Sequence, residues 1–153
     1  MKKFGILLLT LGLAMSLTAC GAKSETTEST TVESTQTVDE SFTGEKVGEA
    51  TDEEGKTVAT VTFEAGKPVD VKFDYIGQDG SSKYEAAAAG EYVMNPDGMP
   101  WNEQADAIAT FLKENNFDVE AVTLTDADGH TDVVTGVSIK VPAFLEAVKA
   151  ALN

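Results

Sequence analysis

Val69-Asp70-Val71-Lys72-Phe73-Asp74-Tyr75 alternates apolar and charged residues without a break. Successive side chains of a strand point to opposite faces. Val69, Val71, Phe73 and Tyr75 therefore share one face, and Asp70, Lys72 and Asp74 the other. That is a half-buried strand. Thr57-Val58-Ala59-Thr60-Val61-Thr62-Phe63 is a second β-rich run, and Glu64-Ala65-Gly66-Lys67-Pro68 joins the two as a hairpin. The aromatic residues here read as core rather than as a ligand platform.

Outward from the hairpin the period changes. After the turn Asp79-Gly80-Ser81-Ser82, residues 82–89 are good helix formers, stopped by Gly90. Pro100 and Trp101 open a helix to about residue 115, with Trp101, Ala105, Ile108 and Leu112 on one face and Phe111 beside them. Pro142 suits a first helical position, and the helix it opens is expected to bury Phe144, Leu145, Val148 and Leu152. Ala121-Val122-Thr123-Leu124-Thr125 and Thr131-Asp132-Val133-Val134 look like two more strands, around the turn Asp126-Ala127-Asp128-Gly129-His130. The fold class predicted is α+β, a small antiparallel sheet with two packing helices, as a single domain over 46–153.

The Asp126 turn has partial calcium-loop spacing, but its glycine is fourth rather than sixth and no glutamate stands at position twelve. A hairpin turn is the expectation, with no metal site. His130 is the single histidine, which leaves zinc sites and Ser-His-Asp chemistry little to build from.

The first residues read as targeting. Met1-Lys2-Lys3 is a positive start, and residues 4–17 are an apolar core too short to span a bilayer as a helix. Leu17-Thr18-Ala19-Cys20 looks like a lipobox, so 1–19 would be a lipoprotein signal peptide and Cys20 the lipidated first residue of the mature chain. A secretory leader with an incidental cysteine is the alternative. Cys20 is the single cysteine, so intrachain disulfides, Cys₄ metal sites and thiol catalysis are excluded. Two acyl chains, at about 0.8 kcal/mol per buried CH₂, anchor a protein for practical purposes permanently. The expected location is the outer face of a membrane. Residues 20–45 are rich in Thr, Ser and Glu and read as a disordered linker, with a reach of roughly 25–30 Å.

The formal charge of the 153 residues is −15. Losing Lys2 and Lys3 with the leader takes 11 basic residues to 9 against 26 acidic ones, or −17. This balance argues against nucleic acid and against anionic lipid as electrostatic partners. The chain contains no arginine, so the planar fork that usually clamps phosphate is missing.

Asp132-Val133-Val134-Thr135-Gly136-Val137-Ser138 carries the functional reading. Gly136 can take the positive φ that lets backbone approach a ligand, with hydroxyls at Thr135 and Ser138 beside it. The helix that follows would offer free N–H groups to a phosphate. The same residues also suit an ordinary turn whose hydroxyls cap a helix.

The stretch resembles the Asp-x-x-Ser/Thr-Gly-Ala-Ser/Thr motif of the FMN-binding domain family. That family includes subunits of membrane NADH:quinone and ferredoxin:NAD reductases and extracellular flavin lipoproteins. Asp132, Thr135 and Gly136 match; Val137 stands where Ala is usual and Ser138 where Thr is commoner. Gly90-Glu91-Tyr92-Val93-Met94, Trp101, Glu103-Gln104-Ala105 and Ile139 extend the resemblance to the lipoprotein branch, over about residues 48–152. It implies FMN esterified at Ser138 by a flavin transferase. Tyr92, Met94 and Trp101 would then be candidate ring contacts, although for each taken alone packing in the core is the preferred reading. The implied role is that of an electron carrier rather than a stand-alone enzyme. It would take electrons from a membrane quinol or NADH dehydrogenase to an extracellular acceptor. The acidic surface is expected to lower the potential of the flavin. A flavin-free structural or antigenic surface lipoprotein and a ligand-binding module feeding a transporter are the rival classes.

Overall fold

Residues 69–75 lie inside β3 (Lys67–Gly77), which pairs antiparallel with β2 (Gly55–Glu64), itself paired antiparallel with β1 (Gly44–Thr51). The structure, a computed structural model, describes residues 41–153. The expected leader at 1–19, Cys20 and the linker as far as residue 40 lie outside the described residues. Three helices follow the strands: α1 (Lys83–Ala88), α2 (Trp101–Glu114) and α3 (Pro142–Leu152), with a 3₁₀ turn at Val119–Ala121. The α+β architecture expected from the sequence is the one found.

Local chemistry sets each corner. The β1–β2 turn is held by Asp52, whose Oδ1 accepts from the amides of Glu54 and Gly55 at 2.8 Å each. Between β2 and β3, Ala65 and Gly66 both have positive φ (48° and 74°), as the tight two-residue hairpin turn requires. β1 begins at Gly44, two residues before the expected domain start at 46. Phe42 packs edge-on against Phe63 at 5.6 Å, and its carbonyl accepts from Gly66 N.

Gly48, Ala59 and Phe73 lie in one row across the sheet, and the helices cover that face. Helix α3 packs on β1 and β2, and α2 on β3. Phe63, Ile108, Leu112, Val141 and Val148 are the largest apolar side chains fully enclosed between the layers, with Val61 beside them. On the opposite face Val47 is 57% exposed and Lys72 is open to solvent. The sheet is thus covered on one side only.

Two expectations need correction. Helix α3 buries Phe144, Ala147, Val148 and Ala151, whereas Leu145 and Leu152 are only partly covered. Gly48 leaves a hole into which small alanines fit, and close approach outweighs the larger area of leucine. Residues 121–125 and 131–134 do not form strands. Val122 and Val134 are buried, but Leu124 and Val133 face solvent. The segments are tied by one backbone bond, Thr125 N to His130 O (2.8 Å), and by Thr131 Oγ1 donating to Thr123 O (2.7 Å). Apolar anchors with side-chain staples replace a ladder here, an instance of strand propensity yielding to context.

Candidate functional site

The 134–138 bend has the geometry its glycine suggested. Val137 N donates to Val134 O (3.3 Å), and Gly136 sits between them at φ +82°. A Cβ on Gly136 would meet Met99 Cε at 2.6 Å. The loop before α2 therefore closes directly over this glycine.

Gln104 holds the bend from below. It is 2% exposed and lies on the first turn of α2, on the apolar stripe with Trp101 and Ile108. Its Nε2 donates to Met99 O (2.7 Å), and its Oε1 accepts from Ser138 N (2.7 Å), Ile139 N (3.1 Å) and Ser138 Oγ (3.3 Å). One buried amide thus orders both the Met99 loop and the backbone at Ser138. A polar residue on a core-facing helical stripe was the signal for this role. The hydrogen bonds of Ser138 run to the first turn of α2, and neither hydroxyl of the motif caps α3, whose N-cap is Val141 with no side-chain hydrogen bond.

Ser138, Thr135, Gly136 and Asp132 are all exposed, and Val137 is half-buried. Thr131, which the motif did not single out, is buried and staples the segment. Ile139 and Lys140, the two residues after Ser138, line a cleft of about 410 Å³ together with Tyr75, Lys83, Trp101 and Phe144. Its rim also carries Asp52, Glu54 and Asp128. The volume lies within the range of small-molecule sites. A larger cleft of about 640 Å³ between β3, α1 and α2 lies away from the bend and shares none of these residues.

Three of the sequence candidates are divided between core and surface. Trp101 is buried, its ring 5.8 Å from Phe144, and still contributes to the cleft wall. Tyr92 (36% exposed) and Met94 (43%) are on the surface, and neither lines this cleft. Tyr75, read as core, is half-buried and forms part of the wall. Asp126 accepts from His130 N (3.0 Å) and pairs with His130 Nδ1 (2.7 Å), which makes the acidic turn a self-contained loop. No cluster of three or more His, Cys, Asp or Glu suited to a metal occurs among the described residues.

The Tyr75 hydroxyl donates to Asp52 Oδ1 (2.9 Å). Partial burial and this carboxylate push the phenol up to about 12, while the Glu54 amide, and then Tyr75, hold Asp52 below the usual carboxylate range. A raised phenol favours the protonated state in the fold. Its contribution is complete below the ordinary value of about 10 and is lost as pH rises through about 12. In an alkaline titration followed by tyrosine ring NMR shifts, Tyr75 should ionise near 12 and move part of the way down in Asp52→Asn. A Tyr75 midpoint unmoved by that substitution would show the hydrogen bond to be without effect.

No family model and no curated protein matches the chain. A protein from Clostridium thermocellum, solved in solution by NMR, is similar at 33% identity over 72% of this chain and 88% of its own, with a TM-score of 0.54. The chain belongs to the family of that clostridial protein. At this identity and coverage the clostridial family shares the fold, so the sheet and the helices that frame the bend are family architecture. The kinship carries no ligand with it.

Proposed function

We propose that this domain is an FMN carrier, with the cofactor esterified at Ser138 and the protein held by a lipid on Cys20 at the outer face of a membrane. Electrons would arrive from a membrane quinol or NADH dehydrogenase and leave to an extracellular acceptor. The observation that carries the reading is the bend. An exposed serine hydroxyl is presented on backbone fixed by a buried glutamine, and the next two residues open into an aromatic-walled cleft.

The residues present fit a tethered cofactor better than an exchangeable one. Near Ser138, phosphate would find the Thr135 hydroxyl and Lys140 but no arginine, with Asp52, Glu54 and Asp128 on the cleft rim. An ester removes one phosphate charge and prevents dissociation. Bound FMN supplies the one- and two-electron chemistry, and no side chain needs to act as acid or base. Ser138 would bind it, Gln104 would orient the attachment point, and Trp101, Tyr75 and Phe144 would exclude water from one side of the cleft.

Chain co-expressed with a flavin transferase should be yellow, and the colour should remain with the polypeptide after denaturation. Free FMN released by acid precipitation would contradict the ester. A colourless product would favour the flavin-free surface lipoprotein, for which Val137 in place of the usual Ala is the sequence argument.

A further inference from the structure

Lys83 is the least expected residue of the cleft. Its ammonium lies 4.3 Å from the Tyr75 ring centroid, 5.1 Å from Tyr92 and 5.9 Å from Trp101. Among the described residues it has no carboxylate within salt-bridge distance. Aromatic faces attract a cation without neutralising it, so its charge is felt at longer range by Asp52 across the cleft but is not taken up by a direct ion pair.

The placement of Lys83 is built, not incidental. It is the first residue of α1, and Asp74 fixes that end. The Asp74 carboxylate accepts from Ser82 Oγ (2.6 Å) and from Tyr84 N (3.0 Å). Ser82 in turn caps the helix by accepting from Glu85 N (3.0 Å), in a Ser-x-x-Glu start. The two hydrogen bonds bracket Lys83 in sequence and tie it to β3. With Lys140 it supplies both positive charges of the cleft, against Asp52, Glu54 and Asp128.

We propose that Lys83 is the residue of this cleft that sets the reduction potential of the flavin, by facing the ring and offsetting the negative charge gained on reduction. This rests on the carrier reading above. Uptake of two electrons and one proton leaves the ring with one additional negative charge, which the acidic surface disfavours. A fixed ammonium beside the ring counters that field where it matters. The class of ligand that suits such a cleft is a planar aromatic group that becomes anionic.

The test uses the full chain loaded by co-expression with a flavin transferase and titrated against a reducing dye couple. Lys83→Gln should favour the oxidised form by about tenfold, a fall of about 30 mV for a two-electron couple, and Lys83→Arg should restore most of it. A second measurement needs no Lys83 variant. Acylation by an amine reagent, mapped by mass spectrometry, should slow several-fold at Lys83 when flavin is loaded, relative to unloaded Ser138→Ala, with exposed Lys72 as internal reference. Unchanged potential in Lys83→Gln, or equal acylation of Lys83 in the two states, overturns the inference and leaves the carrier reading intact. A wild type with no flavin mass at Ser138 overturns both.

Discussion

Gly48→Ala should be the most damaging single-methyl change in the domain. The added Cβ would stand 2.0 Å from the Ala147 carbonyl oxygen and 2.4 Å from the Ala151 amide nitrogen. Both are backbone atoms, so no side-chain rotation relieves the overlap. Helix α3 would have to lift off β1, and its buried face of Phe144, Ala147, Val148 and Ala151 would lose contact with the sheet. Overpacking of a core typically costs about 1–3 kcal/mol, and a clash of backbone with backbone belongs at or beyond the top of that range. For a domain of this size that is a fall of roughly 10–20 °C in Tm. Val47→Ala, one residue away on the solvent face, should change stability by no more than about 0.5 kcal/mol. Thermal melts of the two variants check the assignment, and equal Tm values would mean that α3 does not rest on Gly48.

Gln104→Leu should have the largest effect on the bend. The substitution keeps most of the volume but strips Met99 O, Ser138 N and Ile139 N of their partner. An unsatisfied buried group costs about 1–3 kcal/mol. Because the bend lies at the surface, water can reach some of these groups, and a total of about 2–4 kcal/mol is expected. Amide exchange at Ser138 and Ile139 should accelerate well before exchange in the β2–β3 hairpin. Protection of those two amides at wild-type levels would contradict the role given to Gln104. In loaded material the same variant should lower the yield of flavin at Ser138, because the hydroxyl would no longer sit on ordered backbone.

The contrast between these two residues and the hairpin shows what the sequence could reveal. The alternation from Val69 to Tyr75 and the stripe from Trp101 to Leu112 are periodic; burial follows them at Val71, Phe73, Trp101, Ala105, Ile108 and Leu112, whereas Val69, expected on the covered face, is 38% exposed near the start of β3. Gly136 was legible because φ +82° is a demand that glycine meets at little cost. Gly48 was not, since its backbone is ordinary strand and its role is to make room for a helix a hundred residues later. The small face of α3 follows from that hole. The burial of Ala147 and Ala151 in place of Leu145 and Leu152 could not be read from side-chain size alone. Residues 121–125 and 131–134 carry strand-like composition, yet a polar staple at Thr131 and single anchors at Val122 and Val134 satisfy them without a ladder. The bend at 134–138 was found through its motif. Gln104 was signalled by a polar side chain on an apolar stripe, but its hydrogen bonds to Ser138 and Ile139, and the place of Lys83 in the cleft, emerge only in three dimensions.

Intact mass of the mature chain, made with a flavin transferase as wild type and as Ser138→Ala, tests the central claim most directly. The wild type should gain the mass of one FMN joined through its phosphate with loss of water, and the folded Ser138→Ala variant should gain nothing. An unmodified wild type, or a variant that still carries the added mass, would contradict it.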